Sequence, residues 1–522
     1  MLQLPLAVLD KKVHHNNMGG KIWKTIYNRL GLQNFSYAVP EHAQTLPYML
    51  GGLALAGFII LILSGIYLAQ FYNPDQLSSN ESVAYLINHV PFGNFVRSVH
   101  YWTATIVFIL VVLHLTRAFI TGSYKKPREL TWLSGLGLLA ITIGFIFTGT
   151  MLSLGQEGIE ALEHNGEAGV LLGTIGLWFT AGFSFSVPLI GRVYVAHMTI
   201  LGALFAAFIV VHMYLIKIHG ISPKASGNTQ TASTHGLGLG KFNQHIIKLT
   251  GWALILVAIV SSLALLWPES LISNGIAGVE ATKPPWMFLW IFGMEDVFGI
   301  NALLWGPLVI FLLLAIIPLI DRSPYLSPRR RLWTIAYGLA IVIIIIALSI
   351  QAALVPIEMP SDSSGMLPLS MQRATNFLVP KAYAHNMAFL SFKPTVVTQG
   401  QKVTFSGDGL KTDGKYQIFL KSPKATILLG IATVDDGEDM FDVDLVIPPN
   451  LPGDMYTVEM HSLKNPKFTF YAPLQLAVQP VSVPNQQNTP LSTSYPIPRH
   501  EIMWIAALIF VSMTVGTYLV LK

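Results

Sequence analysis

The stretch RSVHYWTATIVFILVVLHLTR, residues 97–117, sets two histidines inside a run otherwise apolar enough to cross a bilayer as helix. An ionisable side chain in hydrocarbon costs about 2.5–3.5 kcal/mol when charged at the centre of an inserting helix, so one found there is first read as functional. His100 and His114 therefore need a partner that accounts for their place. A helix rises about 1.5 Å and turns about 100° per residue, so the step from one to the other covers about 21 Å and returns within about 40° of the same face.

The rest of the chain fits a membrane setting. Of its 522 residues 52% are hydrophobic and 11% charged, against about 25% charged in soluble domains. Segments of about twenty apolar residues, the length needed to span hydrocarbon, lie near 50–71, 101–120, 133–152, 196–216, 250–267, 301–320, 332–354 and 502–521. The expected fold is an all-α polytopic membrane protein. Residues 386–478 change character: KVTFSG, YQIFLKS, FDVDLVIPP and MYTVEMHS alternate between Gly, Pro and Asp turns, which predicts an appended all-β sandwich-like domain. A Pro/Ser-rich linker, VSVPNQQNTPLSTSYPIP, leads to the last span. With no cysteine, the chain alone offers no disulfide, thiolate metal site, iron–sulfur cluster or thioether-linked cofactor. No apolar leader run follows the early lysines, so no cleavable signal peptide is expected and the first span directs insertion.

Charge sorts the loops. Arg117, Lys125, Lys126 and Arg128, then Lys217, Lys224, Lys241 and Lys248, then Arg322, Arg329, Arg330 and Arg331 follow spans two, four and six, and place those ends on the cytoplasmic side. The alternate loops carry Asp75 and Glu81, then Glu157, Glu160, Glu163 and Glu167, then Glu269, Glu280, Glu295 and Asp296. This predicts an integral protein of the bacterial inner membrane, both termini cytoplasmic and the β domain on the outer, periplasmic side. The net charge of +5 reflects that orientation, so nucleic acid is discarded as a partner.

Span four carries a second pair, His197 and His212, in HMTILGALFAAFIVVH. Spans two and four run the same way, so His100 faces His197 near the outer leaflet and His114 faces His212 near the inner one. Opposed neutral imidazoles across a gap between helices make a six-coordinate axial site for haem iron, with the ring nitrogens on metal rather than unpaired. Two haem b groups stacked across the membrane are the expected cofactors. A flat macrocycle needs close approach, which glycine allows. Gly51 and Gly65 in span one and Gly135 and Gly149 in span three repeat the histidine period. Arg97, Arg117 and Arg192 lie within about a turn of a histidine, where a guanidinium can pair with haem propionates. The plainer alternatives are a hydrogen-bonded core histidine, ordinary small-residue helix packing and basic anchoring. Four histidines at matched depths weigh against the first two, while for Arg117 anchoring is as good an account.

The words RSVHYW, VVLHLTRAFITGSYKKPRELTW, GRVYVAH and VVHMYLIKIHGIS, over residues 40–225, resemble the cytochrome b family and, within it, the form in cytochrome bf complexes, which shares the fifteen-residue step from His197 to His212. The resemblance implies that the four histidines are axial ligands, the outer pair of a low-potential haem and the inner pair of a high-potential one. It continues more weakly in KPPWMFLW, 283–290, which is similar to the family's KPEWYFLW. Here Pro284, Pro285, Trp286 and Met287 mark the quinone-pocket region, with Pro285 in place of the proton-accepting glutamate and Met287 in place of tyrosine. Proline cannot accept a proton; Glu295 and Asp296 are the substitute candidates. Span three ends TGTMLSLGQ where the family commonly has TGYxLPWxQ, and Met49 stands where bf proteins attach an extra haem through cysteine, so no covalent haem is expected.

These observations divide the chain into an N-terminal segment (1–49), a dihaem four-helix core (50–225), a C-terminal cytochrome b-like part with three spans (226–355), a linker (356–385), the β domain (386–478), a second linker (479–500) and a final span (501–522). The expected function is a dihaem b-type cytochrome subunit of a bc-like complex, moving electrons between quinone or quinol and Rieske-type iron–sulfur or c-type cytochrome subunits, as a homodimer in membrane lipid. One alternative is a haem wire between an external donor or acceptor and an inner quinone site. Another is a non-redox assembly subunit. The β domain reads equally as a docking module or a stabilising lid, and His385 and His461 as surface residues.

Overall fold

The computed structural model describes residues 38–184, 187–223, 239–270, 275, 282–355, 389–408, 414–422, 425–434, 440–464, 469–479 and 499–521, with 25, 28 and 29. His385, Lys224 and Glu280 lie outside them. The helices are Leu46–Ala69 (α1), Ser79–His89 (α2), Gly93–Ile120 (α3), Glu129–Met151 (α4), Gln156–Leu171 (α5), Leu189–His219 (α6), Phe242–Leu266 (α7), Leu289–Phe298 (α8), Asn301–Ile320 (α9), Leu332–Leu354 (α10) and Arg499–Leu521 (α11). All but α2, α5 and α8 are long and apolar enough to cross a bilayer, which makes eight such helices among the described residues. Every expected span is a helix. The three shorter ones, of 11, 16 and 10 residues, are too short to cross.

Helices α1, α3, α4 and α6 surround a central layer of Phe58, Val107, Ile141 and Phe205, with the rings of Phe58 and Phe205 4.2 Å apart. Val107 falls midway between His100 and His114, and Phe58 midway between Gly51 and Gly65, so this apolar layer separates two levels of the bundle. Helix α7 packs on α1 and α3 through Leu256 and Val260 against Leu53, Ala54 and Leu110. The final helix α11 docks on α7 where Gly251 and Gly516 meet; a methyl group on either would stand 2.7 Å from the other's carbonyl oxygen. At its start the buried Glu501 carboxylate accepts the Phe92 N–H at 2.9 Å.

Strand β1 (Ala38–Pro40) pairs antiparallel with β2 (Leu239–Lys241), joining the chain before α1 to the chain before α7. The β domain holds β3 (Phe389–Lys393), β4 (Val396–Thr398), β5 (Lys402–Asp408), β6 (Lys415–Lys421), β7 (Thr426–Thr433), β8 (Phe441–Val446), β9 (Asp454–Ser462) and β10 (Thr469–Gln479). They form a five-stranded sheet, β4-β10-β9-β6-β7, and a three-stranded sheet, β3-β5-β8. Alternation puts Tyr416, Ile418 and Leu420 of β6 inside, with Phe405 and Leu390 of the other sheet. The sandwich does not stand apart. Its core runs on into Met151, Leu154, Ile159, Leu162, Leu189, Ile190 and Val193, at the His197 end of the bundle. Gln76, after α1, donates to the Gln475 carbonyl and accepts the Gln475 N–H, both at 2.6 Å.

A buried polar clasp ties the bundle's opposite end to the C-terminal helices. Asp321, after α9, accepts from Lys125 at 2.8 Å, from Arg331 at 3.0 Å and from the Tyr124 hydroxyl. Arg331 also donates to the Ile120 carbonyl at 2.7 Å. Burial alone would raise the Asp321 pKa, but the donors Lys125, Tyr124, Ser323 and Arg331 outweigh it and bring it down to about 2. A folded-state pKa below the unfolded one adds stability at neutral pH that is lost as pH falls through the carboxylate range toward about 2. Asp321→Ala takes the carboxylate partner from the buried Arg331 charge, and should cost about 3–5 kcal/mol. Thermal unfolding in detergent should show that loss at pH 7 and a smaller difference between the two proteins at pH 3.

Candidate functional site

The four histidines of the opening stretches each lie against one of the four periodic glycines. A methyl group on Gly51 would stand 2.9 Å from His114 Cε1, on Gly65 3.3 Å from His100 Cε1, on Gly135 3.3 Å from His212 Cε1 and on Gly149 3.2 Å from His197 Cε1. Helix α1 thus seats the imidazoles of α3, and α4 those of α6. His100 lies within electrostatic reach of His197, and His114 of His212. The step from His197 to His212 is one residue longer than the others, and a π-helical turn at Ala196–Ile200 takes up the extra residue around His197 itself. Such bulges concentrate at functional positions.

The residue before each glycine decides what the imidazole can do. Ser64, Ser134 and Thr148 each place a hydroxyl oxygen 2.9 Å from the Nδ1 of His100, His212 and His197 respectively. Each hydroxyl already donates its proton to its own helix, Ser64 to the Ile60 carbonyl at 2.7 Å, Ser134 to Thr131 at 3.0 Å and Thr148 to Gly144 at 2.7 Å. A hydroxyl has one proton, so its free lone pair accepts Nδ1–H. That sets the tautomer with the Nε2 lone pair bare, the form that binds metal. The fourth position differs: Leu50 precedes Gly51, and among the described residues His114 Nδ1 is buried without a hydrogen-bond acceptor. Sequence reasoning singled out the glycines and missed these hydroxyls, although the words SG, SG and TG at 64–65, 134–135 and 148–149 repeat in plain view.

The three arginines are placed differently from one another. Arg97 donates to the Glu269 carbonyl at 2.7 Å and stands 4.0 Å from its carboxylate. Arg192 donates to the backbone carbonyls of Trp178 and, at 2.6 Å, Thr180, while its buried Nε has no hydrogen-bond partner among the described residues. Arg117 stacks over the Tyr48 ring at 3.6 Å, and among the described residues its Nε has no hydrogen-bond partner.

At the His100 end, the PPWM segment packs on the bundle, Trp286 against Phe108 and Phe288 against Phe147 with centroids 5.6 and 6.0 Å apart. Helix α5 runs alongside and presents Glu157, Glu160, His164 and Glu167 at helical spacing. Thr282 donates its hydroxyl to Glu160 at 2.6 Å. His164 Nδ1 is held by the Glu160 carbonyl at 2.7 Å, which turns Nε2 toward the buried Glu295 carboxylate 3.7 Å away. Asp296 points elsewhere, accepting from Gln351 on α10 at 3.1 Å. Burial, then the charges of Glu269 and Glu160, pushes the Glu157 carboxyl up to about 7. Sequence reasoning listed the acids as an outer loop and passed over His164, because the helix that aligns them is amphipathic and lies outside the spans.

The family model described as cytochrome b/b6/petB matches residues 35–220. Cytochrome b6 of Heliobacterium mobile is 36% identical over 190 residues, which cover 36% of this chain and 89% of that protein. Cytochrome b6 of Mastigocladus laminosus is 35% identical over 188 residues, 35% of this chain and 87% of that protein. The chain belongs to the cytochrome b family. It is a membrane b-type cytochrome of electron transfer. Beyond the matched core, the fold is similar to that of a chain of a solved "Hyperthermophilic respiratory Complex III", with TM-score 0.54, 23% identity, and coverage of 68% of this chain and 92% of that one.

The residues present suit b-type haem. Four imidazoles sit against backbone that no side chain shields, and three have their tautomers set for metal by a hydroxyl. Met49 is fully buried where a bf-type cysteine would be. A side chain at any of the four glycines must displace an imidazole. Gly65→Val and Gly135→Val should therefore each lower the haem-to-protein ratio of the purified protein, read as pyridine haemochrome, by about one haem, whereas Gly202→Ala, with open space around it, should leave the ratio unchanged.

Proposed function

We propose that this chain is the dihaem subunit of a bc-type complex, with His100 and His197 holding an outer haem and His114 and His212 an inner one. The observation that carries this is the fourfold match of imidazole to glycine, at two levels separated by the Phe58–Phe205 layer. Haem b bound at the two levels supplies the one-electron carriers between the membrane faces; the chain supplies ligands, orientation and insulation. Loop charges support an outer position for the β domain, and the complex III-like fold supports Rieske-type iron–sulfur and c-type cytochrome partners in a homodimeric assembly.

Quinol oxidation at the outer side needs an acceptor for two protons, and Pro285 supplies none. The arrangement around α5 supports Glu295 in that role over Asp296, with His164 facing it and Glu160, Glu167 and Glu157 along the same helix as onward carriers. Glu157, with a pKa near 7, can hold a proton at neutral pH. The segment 284–287 forms the quinone-side wall. A second reading, a wire from an external protein to an inner quinone site, rests on Pro285 and Met287. Membership of a b-type cytochrome family weighs against a non-redox role.

Optical redox titration of the purified complex with added quinol tests the reading. Two reducible haem b groups per chain, reduced by quinol and blocked by inhibitors of the outer pocket, are expected; one haem, or reduction solely through an external protein, would overturn it. Glu295→Gln should slow quinol oxidation by about 10²-fold or more. Asp296→Asn should leave the rate within about twofold, since its carboxylate faces α10.

A further inference from the structure

We infer that the residue before each glycine sets the relative potentials of the two haems, so that the pattern Ser64, Thr148 against Leu50, Ser134 biases electrons toward the inner side. This rests on the dihaem reading. The outer pair, His100 and His197, has both Nδ1–H groups accepted by hydroxyls, Ser64 and Thr148, at 2.9 Å. The inner pair has one such contact, Ser134 on His212 at 2.9 Å. On the other side of that site, His114 Nδ1 meets no acceptor among the described residues. The position that would supply one is Leu50, fourteen residues before Ser64 on the same helix, and its side chain packs with Leu53, Leu110 and Leu256.

The chemistry gives the sign. An acceptor on Nδ1–H draws that proton outward and makes Nε2 the more basic donor; a more basic ligand stabilises ferric over ferrous iron and lowers the potential. Two acceptors at the outer site and one at the inner therefore leave the inner haem the easier to reduce. Arg117, three residues past His114, puts positive charge at the inner site, and Arg97 and Arg192, near His100 and His197, put it at the outer one; all three are constant across the variants below. Ser64, Ser134, Thr148 and Leu50 are positioning residues: none reaches the iron, and each acts through an imidazole.

The test is equilibrium redox potentiometry of the assembled complex, with EPR of the oxidised haems as a second readout and haemochrome content to show that each variant is loaded. Leu50→Ser should lower the inner midpoint potential and leave the outer one in place, with a change in the reduction equilibrium of up to about tenfold, or about 59 mV for a one-electron centre. Ser134→Ala should raise the inner potential alone, and Ser134→Thr should restore it. Ser64→Ala and Thr148→Val should each raise the outer potential alone and shift the EPR g-values of that haem. The four positions test one rule independently, so loss of haem in a single variant leaves the others decisive. Two loaded haems whose potentials do not move, or move together, overturn the inference and leave the dihaem reading intact; fewer than two haems in the unaltered complex overturns that reading first.

Discussion

Four imidazoles lying directly on helix backbone are the constraint around which the membrane part is arranged. Gly51, Gly65, Gly135 and Gly149 have no side chain between the helix axis and the ring, and a single methyl group would press on each histidine. That closeness sets which helices are neighbours, α1 with α3 and α4 with α6, and it sets their rotation. It also forces the π-helical turn at Ala196–Ile200, because fifteen residues must deliver what fourteen deliver on the partner helix. The packing layer of Phe58, Val107, Ile141 and Phe205 follows, since the middle of a bundle pinned at two levels is filled by whatever lies half a period from each pin.

Burying an imidazole requires a place for its proton. At three positions a serine or threonine gives its own proton to the preceding helical turn and accepts the one on Nδ1, so a polar group inside the bilayer is satisfied at both ends. The exception at Leu50 makes the two levels chemically unequal although their geometry is alike. Inequality of that kind gives a symmetric scaffold a direction.

The β domain and the C-terminal helices are built into the molecule rather than hung from it. The sandwich shares a core with α4, α5 and α6, and its Gln475 backbone is paired by Gln76 as a strand neighbour would pair it. At the far end, Asp321 binds Lys125, Tyr124 and Arg331. The His100 end is thereby walled by α5 and α8, and this wall brings His164 and Glu295 together across a long separation in sequence.

Periodicity made much of this legible beforehand. The eight spans followed from run length and hydropathy, the sandwich from two-residue alternation, and the glycines and histidines from steps of fourteen residues, fifteen between His197 and His212, because in each case the physical cause repeats along one element. The hydroxyls at 64, 134 and 148 each directly precede one of these glycines, a signal as local as the glycine period itself. Other features have no such local signal. Which backbone carbonyls Arg192 meets, whether Glu295 or its neighbour Asp296 turns toward α5, and where a helix takes up an extra residue are decided by which elements pack together, since one chain position can face several neighbours and only the assembled fold selects one.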